Sequence, residues 1–338
     1  MLQKIQQLGN GIKTIDDLRA HLQLAIEIEH STIPPYLCAL YSLRTVNSIA
    51  TYIVRSVVIE EMLHMTLAAN VLNAIGGTPV IDKPDFCPTY PAALPDSAST
   101  IILNLQRFSR DAIETFKEIE KPQAQDAPPE ADHYETLGQF YVAIEEGLNT
   151  ICAGDRYFTG DTKRQVSPFS YYGGGGELIP VTNKDSALAA LDTIRAQGEG
   201  VNSTIFDNDR GMFAKRYDYA HYFRFNEILK GQFYQVTDGP LDSPSGPTFL
   251  VEWDAIYPMK TNPTMKEATS DVRGKMEEFN RLYTSLLKQL DQTYNGAPDT
   301  LARSVHKMFH LRTAATSLMA IPYDDQNTWG PSFEYLPE

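Results

Sequence analysis

Two long helical stretches carry ionisable groups where a core helix should carry leucine. From Leu18 the apolar residues recur every three or four positions, through Leu22, Ile26, Ile33, Leu37 and Leu40, and Glu29 occupies a place on that seam. A second stretch, over about 50–75, has its seam at Val54, Val57, Ala68, Val71 and Ile75, with Glu61 and His64 inside it. Burying a lone carboxylate costs on the order of several kcal/mol unless it is paired or metal-bound. The first helix is opened by Thr14 and Asp17 at capping-box spacing, and Pro34-Pro35 predicts a kink within it. Gly76-Gly77 and Pro79 end the second.

Glu61 and His64 stand at i and i+3, so both project from one helical face. Dinuclear iron and manganese bundles use this device. They take a Glu from each of two helices and a Glu-x-x-His pair from each of the other two. Glu29, Glu61 and His64 make one half of such a set. The other half is read at Asp218 and His221, which share an apolar face with Phe225 and Ile228 over a helix expected at 214–231. Glu199 is the preferred remaining carboxylate. It ends a helix expected at 185–199, so an antiparallel partner would bring it level with Asp218, and Gly198 and Gly200 permit close approach beside it. Glu145 and Glu146, on a helix expected over 131–153, are the alternatives. On the Glu199 reading that helix packs outside the four-helix core as a covering layer.

Other polar residues have plainer readings. Glu27 falls off the seam and should be solvated; Glu60 is a candidate to support the ligands from behind. His30 reads as a hydrogen-bond partner, and Tyr36 and Tyr141 as neighbours of the site. His306 and His310 lack the Glu between them that a zinc-protease helix needs, and His21 and His133 have no partner motif. Gly173 to Gly176 are not followed by Lys-Ser/Thr, so they do not form a phosphate loop. Cys38 and Cys152 read as core residues.

The remaining elements are a Pro-rich loop at 78–97, a helix near 100–120, a loop over 154–184 with room for a short hairpin, a connection at 232–268, and two closing helices at about 267–294 and 299–320. No repeat or linker divides the 338 residues. A single domain is expected, with a core over about 14–231 and a C-terminal helical extension over 232–338. Forty-three acidic against 29 basic residues leave a formal charge of −14, which argues against nucleic acid or an anionic membrane as partner. Three widely spaced cysteines, no apolar leader and no run of eighteen apolar residues point to a cytoplasmic protein.

Four blocks of sequence carry a resemblance: AIEIEHSTIPPYLCALYS (25–42), VVIEEMLHM (57–65), QGEG (197–200) and AHYFRFNEI (220–228). They resemble the ferritin-like family that includes the iminophenyl-pyruvate dimer synthase domain of violacein, rebeccamycin and staurosporine pathway enzymes. The likeness covers roughly 14–230, and GPSFEY near the end also fits it. It implies an all-α fold, a ferritin-like four-helix bundle with additional helices and long loops. For the pathway members it implies oxidative chemistry of secondary metabolism on an amino-acid-derived imine. Asp218 departs from the family pattern, where Glu is the usual ligand. One methylene less would lengthen a metal distance, weaken one site or leave a mononuclear centre.

The expected function is that of a metal-dependent oxidoreductase with a dinuclear iron centre, manganese or zinc being the other ions that suit these ligands. It would use O2 or peroxide on a small, amino-acid-derived molecule. Glu29, Glu61, His64, Glu199, Asp218 and His221 would hold the metal, and the aromatic segments 168–172 and 217–225 would wall the substrate pocket. The alternative is a non-catalytic metal-binding or iron-handling protein. A homo-oligomer is compatible with either.

Overall fold

The computed structural model describes residues 3–4, 8, 11–95, 100–122, 134, 137–171, 174–199, 204–207 and 219–337, with Pro95 and Glu199 described in their backbone alone. Its helices are α1 (Ile15–Ser42), α2 (Ser48–Ala74), α3 (Arg110–Ile119), α4 (Leu137–Ile151), α5 (Lys184–Glu199), α6 (His221–Lys230), α7 (Ser270–Tyr294) and α8 (Leu301–Met319). One antiparallel hairpin, β1 (Ala92–Pro95) with β2 (Thr100–Leu103), pairs Ala92 with Leu103. The expected helix near 100–120 is therefore shorter. Its first part is strand Thr-Ile-Ile-Leu, and the helix starts only after Ser109, whose hydroxyl accepts from Ala112 N. β-Branched residues favour the strand, and the serine cap sets where the helix begins.

α1 opens with the full capping box: Asp17 N donates to Thr14 Oγ1 and Thr14 N to Asp17 Oδ2. The helix then runs unbroken through Pro34 and Pro35. Proline at 35 removes the donor that would bond the carbonyl of Ser31, and the Tyr90 hydroxyl donates to that carbonyl instead, at 2.8 Å. α2 ends in a Schellman motif. Gly76, at φ +74°, donates to the carbonyl of Asn73, and Gly77 to that of Leu72.

The hairpin α1–α2 lies at the centre of the molecule and is buried on almost all sides. On one side α4 packs on α1, α5 packs on both α2 and α4, and the four helices close a ring. So α4 is not an outer covering layer: it is a wall of the bundle, because Tyr141, Ile144 and Leu148 give it a buried face towards α1 and α5. α6 packs on α2, α5 and α3. On the other side the α7–α8 hairpin covers α1 and α2. Covered on both faces, the two helices bury apolar residues on both, and the carboxylates and imidazoles among them need partners inside the protein.

α6 begins at His221, later than the expected 214. Ala220 is extended (φ −56°, ψ 154°) and Tyr219 bridges Phe206, so the helical turn needed to put Asp218 and His221 on one face is absent at 219–220. Asp218 itself lies outside the described residues. The segment 153–166 holds two short 3-10 turns rather than a hairpin. No helix among the described residues is long and apolar enough to cross a membrane.

Candidate metal centre

Two groups of ligand-type side chains meet where α1 and α2 face the end of α3 and the start of α6. Glu29, Glu61 and His64 form one; Glu61, Glu120 and His221 form the other, and Glu61 belongs to both. All five residues are buried or nearly so, Glu120 being the most exposed at 9%. His64 Nδ1 lies 3.3 Å from Glu29 Oε2 and 3.9 Å from Glu61 Oε1. His221 Nδ1 lies 3.1 Å from Glu61 Oε1 and 3.5 Å from Glu120 Oε2. The two imidazoles stack with centroids 5.5 Å apart.

Each imidazole is held from behind through its other nitrogen. Gln197 Nε2 donates to the carbonyl of Gly175, which leaves Gln197 Oε1 to accept from His64 Nε2 at 2.7 Å. His221 Nε2 donates to Glu60 Oε2 at 2.8 Å. Both Nδ1 lone pairs therefore turn toward the carboxylates. Such outer partners fix the tautomer and raise the basicity of a metal-binding histidine. Glu60 is in turn clasped by the Arg224 guanidinium, which also reaches Ser56 and Asp207. Burial alone would raise the Glu60 carboxyl; Arg224 first, and His221 with it, outweigh that and hold it at about 2.

The carboxylates have donors of their own. Thr32 Oγ1 donates to Glu61 Oε2 at 2.7 Å and Tyr36 to Glu120 Oε1 at 2.7 Å, while the Tyr141 hydroxyl donates to Glu29 Oε1. Burial, with the neighbouring carboxylates added, pushes both tyrosines well above the usual phenol range, so they stay protonated donors. Burial together with the charges of Glu120 and Glu29 raises Glu61 to about 7. Burial would raise Glu120 as well, but the His221 charge first, and the hydrogen bond from Tyr36 with it, bring it below its usual range. Burial would lower both histidines; Glu29 at His64, and Glu120 at His221, drive them up instead.

These residues fit a cation. His221 Nδ1 is buried and faces two carboxylate oxygens, yet it makes no hydrogen bond. An acceptor nitrogen against acceptor oxygens in a dry interior is unfavourable unless a proton or a metal ion lies between them. Three carboxylates and two imidazoles are also the donor set that suits iron, manganese or zinc.

Glu29, Glu61, His64 and His221 are thus brought together. The backbone of Glu199 closes α5, but its side chain and Asp218 lie outside the described residues. Of the alternatives, Glu145 is bonded by Arg195 through both oxygens at 2.8 Å, and Glu146 is exposed. Glu120, absent from the candidate list, takes the place of a carboxylate from a further helix. It does carry a signal: Ile113, Phe116 and Glu120 lie at i, i+3 and i+7 on the apolar face of α3. Gly198 of the QGEG block makes room for it, since a Cβ there would lie 3.0 Å from Glu120 Oε2. One glycine of the run 173–176 is explained in a similar way. Gly175, at φ +77°, packs on the backbone of Glu60, where a Cβ would come within 3.0 Å.

The other polar residues fall elsewhere. His30 bonds Tyr283, His21 lies between Asp17 and Tyr134, and Glu27 is half-buried and paired with Lys4. His306 and His310 are exposed, and His133 lies outside the described residues. A pocket of about 50 Å3 adjoins the carboxylates, lined by Ile28, Ile119, Leu137, Tyr141, Ile194 and Arg195. Its walls come from α1 to α5, not from the aromatic segment 168–171.

Fold and site together define a helical bundle with a buried carboxylate–histidine cluster that could hold a metal. The ferritin-like family matches residues 22–230, more than half of the chain, and the chain belongs to that family. Among solved structures it is similar to a ferritin-like protein from Caulobacter vibrioides. The identity is 21%, 96% of this chain and 100% of that one are covered, and the TM-score is 0.66, a likeness that carries the fold alone. No curated protein sequence matches the chain.

Proposed function

We infer that this protein is a metal-dependent oxidoreductase with a dinuclear carboxylate centre, iron being the ion. It would act with O2 or peroxide on a small, amino-acid-derived molecule. The observation that carries the reading is the pair of histidine–carboxylate groups sharing Glu61, with both Nδ1 atoms turned inward. Glu29, Glu61, Glu120, His64 and His221 would hold the metal, with Glu199 and Asp218 as further candidates from the sequence. The bound metal would supply one-electron chemistry and a place for the oxidant.

The chain's own residues do the rest. Gln197 and Glu60 hold the proton of each imidazole on Nε2. Tyr141 and Tyr36 keep a proton at Glu29 Oε1 and Glu120 Oε1, which orients the carboxylates and leaves their other oxygens inward. Ile28, Ile119, Leu137 and Ile194 keep water away, in a pocket that takes an oxidant or the reacting end of a larger molecule. The presence of that pocket favours catalysis over simple metal storage, which needs only a closed shell of ligands.

The sequence blocks at 25–42, 57–65, 197–200 and 220–228 support kinship with the iminophenyl-pyruvate dimer synthase domain. A formal charge of −14 supports a small-molecule partner, with neither nucleic acid nor membrane, and the protein is proposed to be cytoplasmic. A homo-oligomer remains compatible. The test is oxygen uptake by the Fe(II)-loaded protein over a panel of amino acids and their imines. Turnover that is lost in His64→Ala is expected; full iron content with no uptake on any member would leave the iron-handling reading in its place.

A further inference from the structure

A second cavity lies on the opposite side of the α1–α2 hairpin from the carboxylates, under α7 and α8. Ile33, Leu37, Met65, Leu287, Leu301 and Leu311 supply most of its wall. Among its polar lining side chains are His30 and Ser304, each only 3% exposed. Both have a buried atom with no hydrogen-bond partner, His30 Nδ1 and Ser304 Oγ.

Neither omission is trivial. The other hydroxyl residues of α8, Thr313, Thr316 and Ser317, all bond back to a carbonyl of their own helix. Ser304 does not, and the carbonyl four residues before it, that of Thr300, is occupied by Gln289 Nε2. His30 is fixed in place: Nε2 meets the hydroxyl of Tyr283, also on the cavity wall, at 2.8 Å, and the ring lies against Phe86. Nδ1 is thereby left over. A buried polar atom left unsatisfied loses its hydration with nothing in return.

The cavity measures about 50 Å3 counted over positions that a water centre can take. One water needs roughly 10–15 Å3 on that measure and two to four polar partners. Waters enough to fill this space would find few partners, because the Thr66 and Tyr294 hydroxyls on its wall already bond each other and that of Tyr283 is engaged by His30 Nε2. An apolar body with one polar group fits better. A neutral imidazole with Nε2 taken offers either a donor or an acceptor at Nδ1, and the Ser304 hydroxyl is both. A hydroxyl matches every combination. Half-exposed Leu290, Val305 and Met308 form the way in.

We propose that this cavity is a binding site for a small, uncharged, apolar molecule bearing one hydroxyl, an aliphatic or phenolic alcohol, held by His30 and Ser304. It is separate from the carboxylate cluster and does not depend on what that cluster does.

The probe is 4-bromophenol against bromobenzene, titrated calorimetrically into the full chain, with crystals soaked in each. The bromine should appear between α1 and α8, with the phenol bound about tenfold more tightly than its hydroxyl-free counterpart. Ser304→Ala should remove that advantage and leave bromobenzene binding unchanged. Val305→Trp, at the half-exposed mouth, should block both. Equal affinity for the two probes, bromine outside the cavity, or a cavity holding water alone in the soaked crystals would overturn the proposal. The wild-type titration and soak decide the matter should Ser304→Ala fail to fold.

Discussion

Three carboxylates and two imidazoles share one dry space, and each is oriented by a neighbour that does not itself face the centre. Glu60 is the most heavily held of those neighbours. Replacing Arg224 with Met would leave its carboxylate buried against His221 alone, and removing one member of a buried pair costs about 3–5 kcal/mol. Urea unfolding of Arg224→Met should show a loss of that size. Glu120→Gln keeps the shape but removes a ligand charge, so bound metal per chain should fall severalfold, while Glu145→Gln and Glu146→Gln should leave it intact; elemental analysis reads all three. The cysteines belong to the opposite class. Burial raises Cys38 and Cys152, and pushes Cys87 up to about 12, so native protein at pH 8 should resist a thiol reagent that labels all three after denaturation. Glu29, Glu61 and His64 were legible because each interrupts a long apolar seam. Glu120 interrupts one too, but at the last turn of a ten-residue helix, among Glu114, Lys117, Glu118 and Lys121, where a charge reads as surface.

At the level of elements, two local devices decide where the centre sits. The prolines of α1 do not end the helix, and Tyr90 satisfies the carbonyl that Pro35 leaves open. Tyr90→Phe should therefore cost about 1 kcal/mol in chemical denaturation, the net worth of one buried hydrogen bond. A proline pair inside a helix can be seen in a sequence; the loop tyrosine that bonds Ser31, fifty-nine residues before it, cannot. Periodicity located α1, α2, α5, α7 and α8 to within a few residues, since their apolar faces are long. It failed at 100–103 and before 221. A four-residue strand leaves no helical period to contradict, and a bridge such as Phe206 with Tyr219 is a tertiary contact.

Across the whole molecule, the α1–α2 hairpin is a shared wall between the carboxylate bundle and the α7–α8 layer. The C-terminal segment ties that layer down: Asn280 holds Ser332 and Glu334, Thr284 holds Leu336, and the Tyr335 hydroxyl reaches Asp82. A chain cut after residue 231 would bare Ile33, Leu37 and Met65, and should be recovered aggregated, whereas the full chain should unfold in one transition followed by circular dichroism. The ring formed by α1, α2, α5 and α4 explains why a helix expected to lie outside becomes part of the bundle: Tyr141 on α4 is needed at Glu29.

The central claim is that the carboxylate–histidine cluster is a metal centre built around Glu61. Crystals grown with Fe(II) without oxygen, and an anomalous-difference map at the iron edge, test it most directly. The account predicts two peaks flanking the Glu61 carboxylate, one bound by Glu29 and His64 Nδ1 and the other by Glu120 and His221 Nδ1. A map with no peak at the cluster, or with iron held only by residues other than these five, would contradict it.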